Sequence, residues 1–200
     1  MLMNKYIKFW DWFKSRSEYI YNNLEIDTDN IALEITENIK LVNQDLEFEI
    51  PLEFLDDTRE LIISADGLEK LFNVVIELVK SAPIINNWRI TAFRPRLHQR
   101  NQRIDLDGIS MDYFDIFFTY IEQNQGIELK AYIADYDGID NRYVHLYFLL
   151  LDSLIGEYDS VKCIASTKVF PLLNKTDLHS FSELLEIVDN YKKKIIEPKK

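Results

Sequence analysis

Five of the chain's eight arginines, Arg89, Arg94, Arg96, Arg100 and Arg103, fall within fifteen residues, and the segment from Trp88 to Arg103 holds no aspartate or glutamate. Guanidinium groups present forked donors that match a carboxylate or a phosphate. Alternation along a strand places Arg94 and Arg96 on one face, where they can hold a small anion or an acidic partner. The competing reading is that these arginines pair with the protein's own plentiful acids. His98 lies beside them and can carry a proton near neutral pH, but no nucleophile accompanies it. Glu157, with Asp152 and Asp159, flanks the end of an apolar segment and completes the set of candidates: Arg94, Arg96, His98 and Glu157.

Other chemistry is thin. His145 sits in an apolar run and His179 near a helix start. Both are read as structural, and the three histidines lack the spacing of metal ligands. The Asp105–Gly108 and Asp135–Gly138 segments resemble the opening of a calcium loop, but neither continues to the glycine and glutamate that such a loop needs. Turn formation accounts for both. Cys163, the sole cysteine, falls in the alternating run Val161–Ala165 and reads as a buried, inert thiol on a strand. With five glycines there is no glycine-rich phosphate loop and no nucleophile elbow. These readings assign no catalytic residue, metal or cofactor.

Two stretches carry a resemblance. Trp88-Arg89-Ile90-Thr91-Ala92-Phe93-Arg94-Pro95-Arg96 and Leu150-Leu151-Asp152-Ser153-Leu154-Ile155-Gly156-Glu157-Tyr158-Asp159 resemble a family of uncharacterised bacterial proteins. That family carries a Trp-x-x-x-Ala-Phe-Arg-x-Arg strand followed by a Leu-Asp-x-x-Leu-Gly-Glu-like segment. Here Ile155 precedes the Gly-Glu pair, so the second motif matches approximately. The resemblance spans about Phe9 to Pro171. It implies a bacterial origin, supplies no activity, and draws attention to Arg94, Arg96 and Glu157.

The elements that must position these residues follow from periodicity. Tyr6, Phe9, Trp10, Phe13, Tyr19 and Ile20 give a helix from about Asn4 to Asn22 with a broad aromatic face, which could remain exposed for a partner. Ile31, Ile35, Ile39 and Val42 mark a second helix after Asp27-Thr28-Asp29. Strands are expected at Leu46–Ile50, Leu61–Ile63 and Trp88–Ala92, with a helix from Leu68 to Ala82 ended by Pro83. The polar stretch from Arg94 to Asp107 reads as a loop or a ragged strand extension.

Phe114–Ile121 and Ile127–Ile133 form a hairpin whose Gly126 takes a positive φ. Tyr143 to Leu154 is a buried helix capped by Gly156. Val161–Pro171 is the last strand. A final helix runs from about Leu178 to Lys194, with Ser180 and Glu183 as a capping box and Thr176 as an alternative cap.

The fold class is α+β: a mostly antiparallel or mixed sheet of about five to six strands with helices packed against it, preceded by an N-terminal helical pair. No composition shift marks a boundary, so the expected organisation is one domain over 1–200. Its parts are helices at about 4–43, a sheet-containing core at about 45–171 and a C-terminal helix at about 178–194.

The net charge of −11 disfavours general nucleic-acid binding. No apolar run approaches the ~20 residues that span a bilayer, and the lone thiol and the start of the chain fit a cytoplasmic protein. The function reading is a non-enzymatic cytoplasmic protein-binding module, an adaptor or immunity-type protein whose partner is another protein. The alternative is a small-anion-binding enzyme or sensor using the Arg94/Arg96 segment.

Overall fold

The computed structural model describes residues 2–52, 54, 56–97 and 102–196. Its contacts gather into two compact units, Met1–Arg94 and Pro95–Lys200, although nothing in the composition announces a boundary between them.

The first unit opens with helix α1 (Leu2–Asn23) and helix α2 (Thr28–Val42). Tyr6, Phe9, Trp10, Phe13 and Ile20 recur at helical spacing and are buried, as are Ile31, Ile35, Ile39 and Val42 of α2. The aromatic face of α1 therefore belongs to the core and is not an exposed partner surface. Tyr19 leaves that stripe and turns to solvent, where its hydroxyl donates to Asp27 (2.7 Å).

Strands β1 (Glu47–Glu49), β2 (Arg59–Ser64) and β3 (Trp88–Ala92) form a sheet in that order, with β1 antiparallel and β3 parallel to β2. Parallel neighbours need a crossover. Helix α3 (Phe72–Lys80) supplies it after a short 3₁₀ turn at Glu69–Leu71, burying Phe72, Val75 and Leu78. Two tryptophans keep their indole N–H groups satisfied inside. Trp10 donates to the Leu78 carbonyl (2.8 Å) and Trp88 to the Ser17 carbonyl (3.2 Å).

The second unit holds the hairpin β4 (Arg103–Leu106) and β5 (Ile109–Asp112). Asp107 and Gly108 both take positive φ in its two-residue turn (47° and 83°), the conformation that favours Asp-Gly at a tight hairpin. A second hairpin follows, β6 (Ile116–Gln123) and β7 (Gly126–Ile133). Gly126 there has φ +135°, and a Cβ would lie 2.9 Å from the Cys163 carbonyl oxygen.

Helix α4 (Asn141–Ile155) and helix α5 (Glu157–Cys163) carry the chain across to β8 (Ile164–Pro171), parallel to β7. The short β9 (His179–Ser180) and helix α6 (Leu184–Ile196) complete the unit, with the Ser180–Glu183 capping box in place. The sheet order is β8-β7-β6-β9. Leu146, Tyr147, Leu150 and Leu151 of α4 share one buried cluster with Phe118 of β6, Leu129 and Ala131 of β7, and Leu184 and Val188 of α6.

The architecture is α+β, as the patterning requires. The described strands divide among three sheets of three, two and four strands rather than one sheet of five or six. The run Val161–Cys163 ends α5 and is not part of a strand. The strand expected from Phe114 starts at Ile116, because the Asp112–Asp115 capping box winds Tyr113–Asp115 into a 3₁₀ turn.

Candidate functional site

The arginines do not share a strand face. Strand β3 stops at Ala92, and Phe93 takes φ +67°, which turns the chain before Arg94 is reached. Arg94 belongs to the first unit, where Glu49 accepts from its Nε and the Asp66 carboxylate sits 3.2 Å from its terminal nitrogens. Arg96 belongs to the second unit. Its Nε donates to the Ile155 carbonyl (2.8 Å), and its two terminal nitrogens meet Asp159 (2.7 Å) and Asp189 (2.7 Å). Burial works against the charge on Arg96, and Asp189 and Asp159 more than offset it, holding the guanidinium above its ordinary pKa. Arg89 pairs with Glu60 and Arg103 with Asp112. Each of these four guanidinium groups is bonded to carboxylates of the chain itself.

Glu157 is fully buried at the first turn of α5. It follows Gly156, whose φ of +83° caps α4 where the sequence places a C-cap, and α5 starts directly after it. Arg96 reaches this junction through Ile155 and Asp159, and Lys192 bonds Asp159 from α6 (2.7 Å). Ser160 closes the corner by donating to Asp152 (2.7 Å). The result ties α4, α5 and α6 together. His98 and Arg100 lie outside the described residues.

No family model matches the chain, and no curated protein or solved structure matches it either. The functional reading must therefore come from the surface of this molecule. His145 is solvent-exposed on α4, although its neighbours in the sequence are apolar. His179 is bonded to Glu183 (2.9 Å) and lies against Phe118 and Tyr120. Cys163 is buried, and burial, helped by Asp159, pushes its thiol up to about 11. A thiol so placed is a poor nucleophile at neutral pH. Among the described residues no three His, Cys, Asp or Glu side chains converge to hold a metal. An open cleft of about 610 Å³ in the first unit is lined by Lys14, Glu18, Tyr21, Asn22, Asn86 and Asn87, with no nucleophile–base pair.

What sequence reasoning missed is the outer face of the four-stranded sheet. Ile127, Leu129, Ala131 and Ile133 of β7 point into the core, so their alternates point out. Strand register then aligns Phe117, Tyr132 and Phe170 in one row across β6, β7 and β8, and Thr119, Lys130 and Lys168 in the next. Tyr132 and Phe170 are stacked, with ring centroids 5.7 Å apart, and Lys175 lies 4.4 Å over the Phe117 ring. A shallow depression of about 180 Å³ lies against Thr119, Ile121, Glu128, Lys130, Ser166 and Lys168. Among the described residues no carboxylate is bonded to Lys130 or Lys168. Arg89, Arg94, Arg96 and Arg103 are spent internally, whereas these lysines are not.

Strand β8 closes this face at one side. It is eight residues long and, among the described residues, pairs only with β7. An edge strand presents unpaired N–H and C=O groups that can template another strand. The signal was present in the sequence as the alternation of Ser166, Lys168 and Phe170 with Thr167, Val169 and Pro171. Without strand order it could not be assigned to an edge.

Proposed function

We propose that this chain is a non-enzymatic protein-binding module that receives an extended segment of its partner along β8. The observation that carries the reading is an eight-residue edge strand whose open face continues into a stacked aromatic row. Strand addition gives affinity through main-chain hydrogen bonds and specificity through alternate side chains. An adaptor or an immunity-type protein would work this way, neutralising or tethering a partner without altering it. The compartment is read as cytoplasmic, in keeping with a single thiol held in the interior. No helix of the described residues is long and apolar enough to cross a membrane.

The test is capture of a stoichiometric protein partner by the full chain, comparing wild type with Thr167→Pro and Lys168→Pro. Successive residues of a strand direct their N–H groups to opposite sides, so one of these two faces away from β7. Proline at that position leaves the β7–β8 ladder whole and removes a donor from the free edge. That variant should keep its melting temperature and lose the partner, while the other should unfold more easily. Retention of the partner by the stable variant refutes edge docking.

A further inference from the structure

The side chains beside the free edge specify the chemistry of the strand that docks there, provided the edge-docking reading above holds. A strand added next to β8 places its residues opposite those of β8 on the same faces, whichever direction it runs. On the open face those residues of β8 are Ser166, Lys168 and Phe170, and the rows behind them continue through Lys130 to Thr119 and through Tyr132 to Phe117. We infer that the docked segment is an extended strand of a partner protein that is acidic opposite Lys168 and aromatic, two residues away, opposite Phe170. The carboxylate would extend the Thr119–Lys130–Lys168 row and lie directly opposite Lys168, with Lys130 one strand further back; no carboxylate of the described residues is bonded to either lysine. The aromatic ring would lengthen the Phe117–Tyr132–Phe170 row, where Tyr132 and Phe170 already stack at an interplanar angle of 27°.

Two features select this occupant over others. A second copy paired antiparallel about Lys168 would set like charges directly opposite each other, which is destabilising. A single-stranded nucleic acid could stack on the aromatic row, but the chain's charge of −11 opposes a polyanion, and it opposes a short acidic segment far less. Cross-strand pairs between opposite charges and between aromatics are the unit of specificity in such an addition.

The probe is a labelled synthetic peptide of about eight residues, the length of β8, that alternates threonine with glutamate and tyrosine. A second peptide carries lysine in place of glutamate. Anisotropy titration of the full chain should show the glutamate peptide binding about fivefold more tightly, the combined effect of an opposite-charge pair gained and a like-charge pair avoided. Lys168→Glu, an exposed substitution, should reverse the order of the two peptides. Phe170→Ala should weaken both alike.

Equal binding of the two peptides, or no reversal in Lys168→Glu, overturns the inference. So does the absence of binding up to ~1 mM peptide. If the stable proline variant has meanwhile lost its captured partner, the edge-docking reading survives that failure. If the variant retains it, edge docking itself falls. Tighter binding of oligothymidylate than of the glutamate peptide would make the face a nucleic-acid platform. A dimer that dissociates as peptide is added would assign the edge to a second copy. Both outcomes replace the inference.

Discussion

Removing the Arg96 side chain tests whether the arginine segment is structural. Arg96 makes three contacts, with the Ile155 carbonyl, Asp159 and Asp189, and its side chain is 27% exposed. Breaking a buried ion pair costs about 3–5 kcal/mol, because the remaining charge is left without a partner. Here the cost is smaller. Asp159 keeps Lys192 at 2.7 Å, and Asp189 is exposed enough for water to solvate it. The loss that remains is that of one charge-assisted hydrogen bond to a nearly buried carboxylate and one to a helix-terminal carbonyl, about 2 kcal/mol. For a cooperative unit of about a hundred residues, each kcal/mol moves Tm by about 4 °C. Arg96→Ala should therefore lower the transition of the second unit by about 8 °C.

Thermal unfolding followed by circular dichroism reads this directly, with Arg89→Ala as the control. Arg89 is half exposed and pairs with Glu60 in the first unit, an arrangement worth less than about 1 kcal/mol. The same scan repeated in phosphate tests the anion reading. The wild-type Tm should not move beyond the effect of ionic strength, because the Arg94 and Arg96 guanidinium groups are already bonded to carboxylates. An Arg96→Ala variant as stable as wild type, together with a phosphate-dependent rise in the wild-type Tm, would refute the argument and restore the small-anion site.

Two further predictions follow from the same structure. Hydrogen bonds from His179 and then Ser180 hold the Glu183 carboxyl down at about 2, below its ordinary 4.5. A depressed folded-state value means stability that is present above 4.5 and is lost as pH falls through about 2. Glu183→Gln should flatten the decline of Tm across that window, and an unchanged acid limb would disprove the assignment. At Gly126, φ +135° and a Cβ 2.9 Å from the Cys163 carbonyl oxygen combine strain with a clash. Gly126→Ala should cost about 2–3 kcal/mol in chemical denaturation. Gly67→Ala, with φ +75° and nothing within 4 Å, should cost about 1 kcal/mol, so equal losses at the two positions would contradict the packing argument.

The helices were legible because their burial is periodic. Phe9, Trp10, Phe13 and Ile20, or Ile31, Ile35 and Ile39, can share a buried face only on a helix. Strands were legible where alternation or a turn signal was unambiguous, as at β3 and at the β6–β7 hairpin. Val161-Lys162-Cys163 alternates like a strand, yet Gly156 restarts a helix just before it, and a seven-residue helix leaves too little pattern to outvote alternation. Arg59 was invisible for a different reason. One arginine beside Thr58 and Glu60 reads as surface, but it is 1% exposed, with its Nε donated to the Tyr21 carbonyl, a terminal nitrogen on Glu25, and its guanidinium over the Phe54 ring. Only its tertiary contacts with Tyr21, Glu25 and Phe54 reveal it. The division into two units was equally hidden, because both are drawn from the same mixture of apolar and acidic residues.

The arginine island shows why local charge is a poor guide to a site. It stood out because no acid lies within it, and an acid-free window in an acidic chain looks like a place left open for a ligand. The partners arrive from elsewhere: Glu49 and Asp66 for Arg94, and Asp159 and Asp189 for Arg96. An arginine without local acids is the one that can reach distant ones, and it fastens segments that are remote in sequence. The lysines of the outer sheet face obey the opposite logic. Lys130 has Glu128 two residues away and looks neutralised on paper, yet Glu128 is bonded to Gln123 instead (2.8 Å). Lys168 stands on an edge strand where the next row of side chains has yet to be supplied. A cation with a carboxylate near it in sequence but none bonded to it in space marks a surface available to a partner, and strand order, which no single sequence discloses, decides where that surface lies.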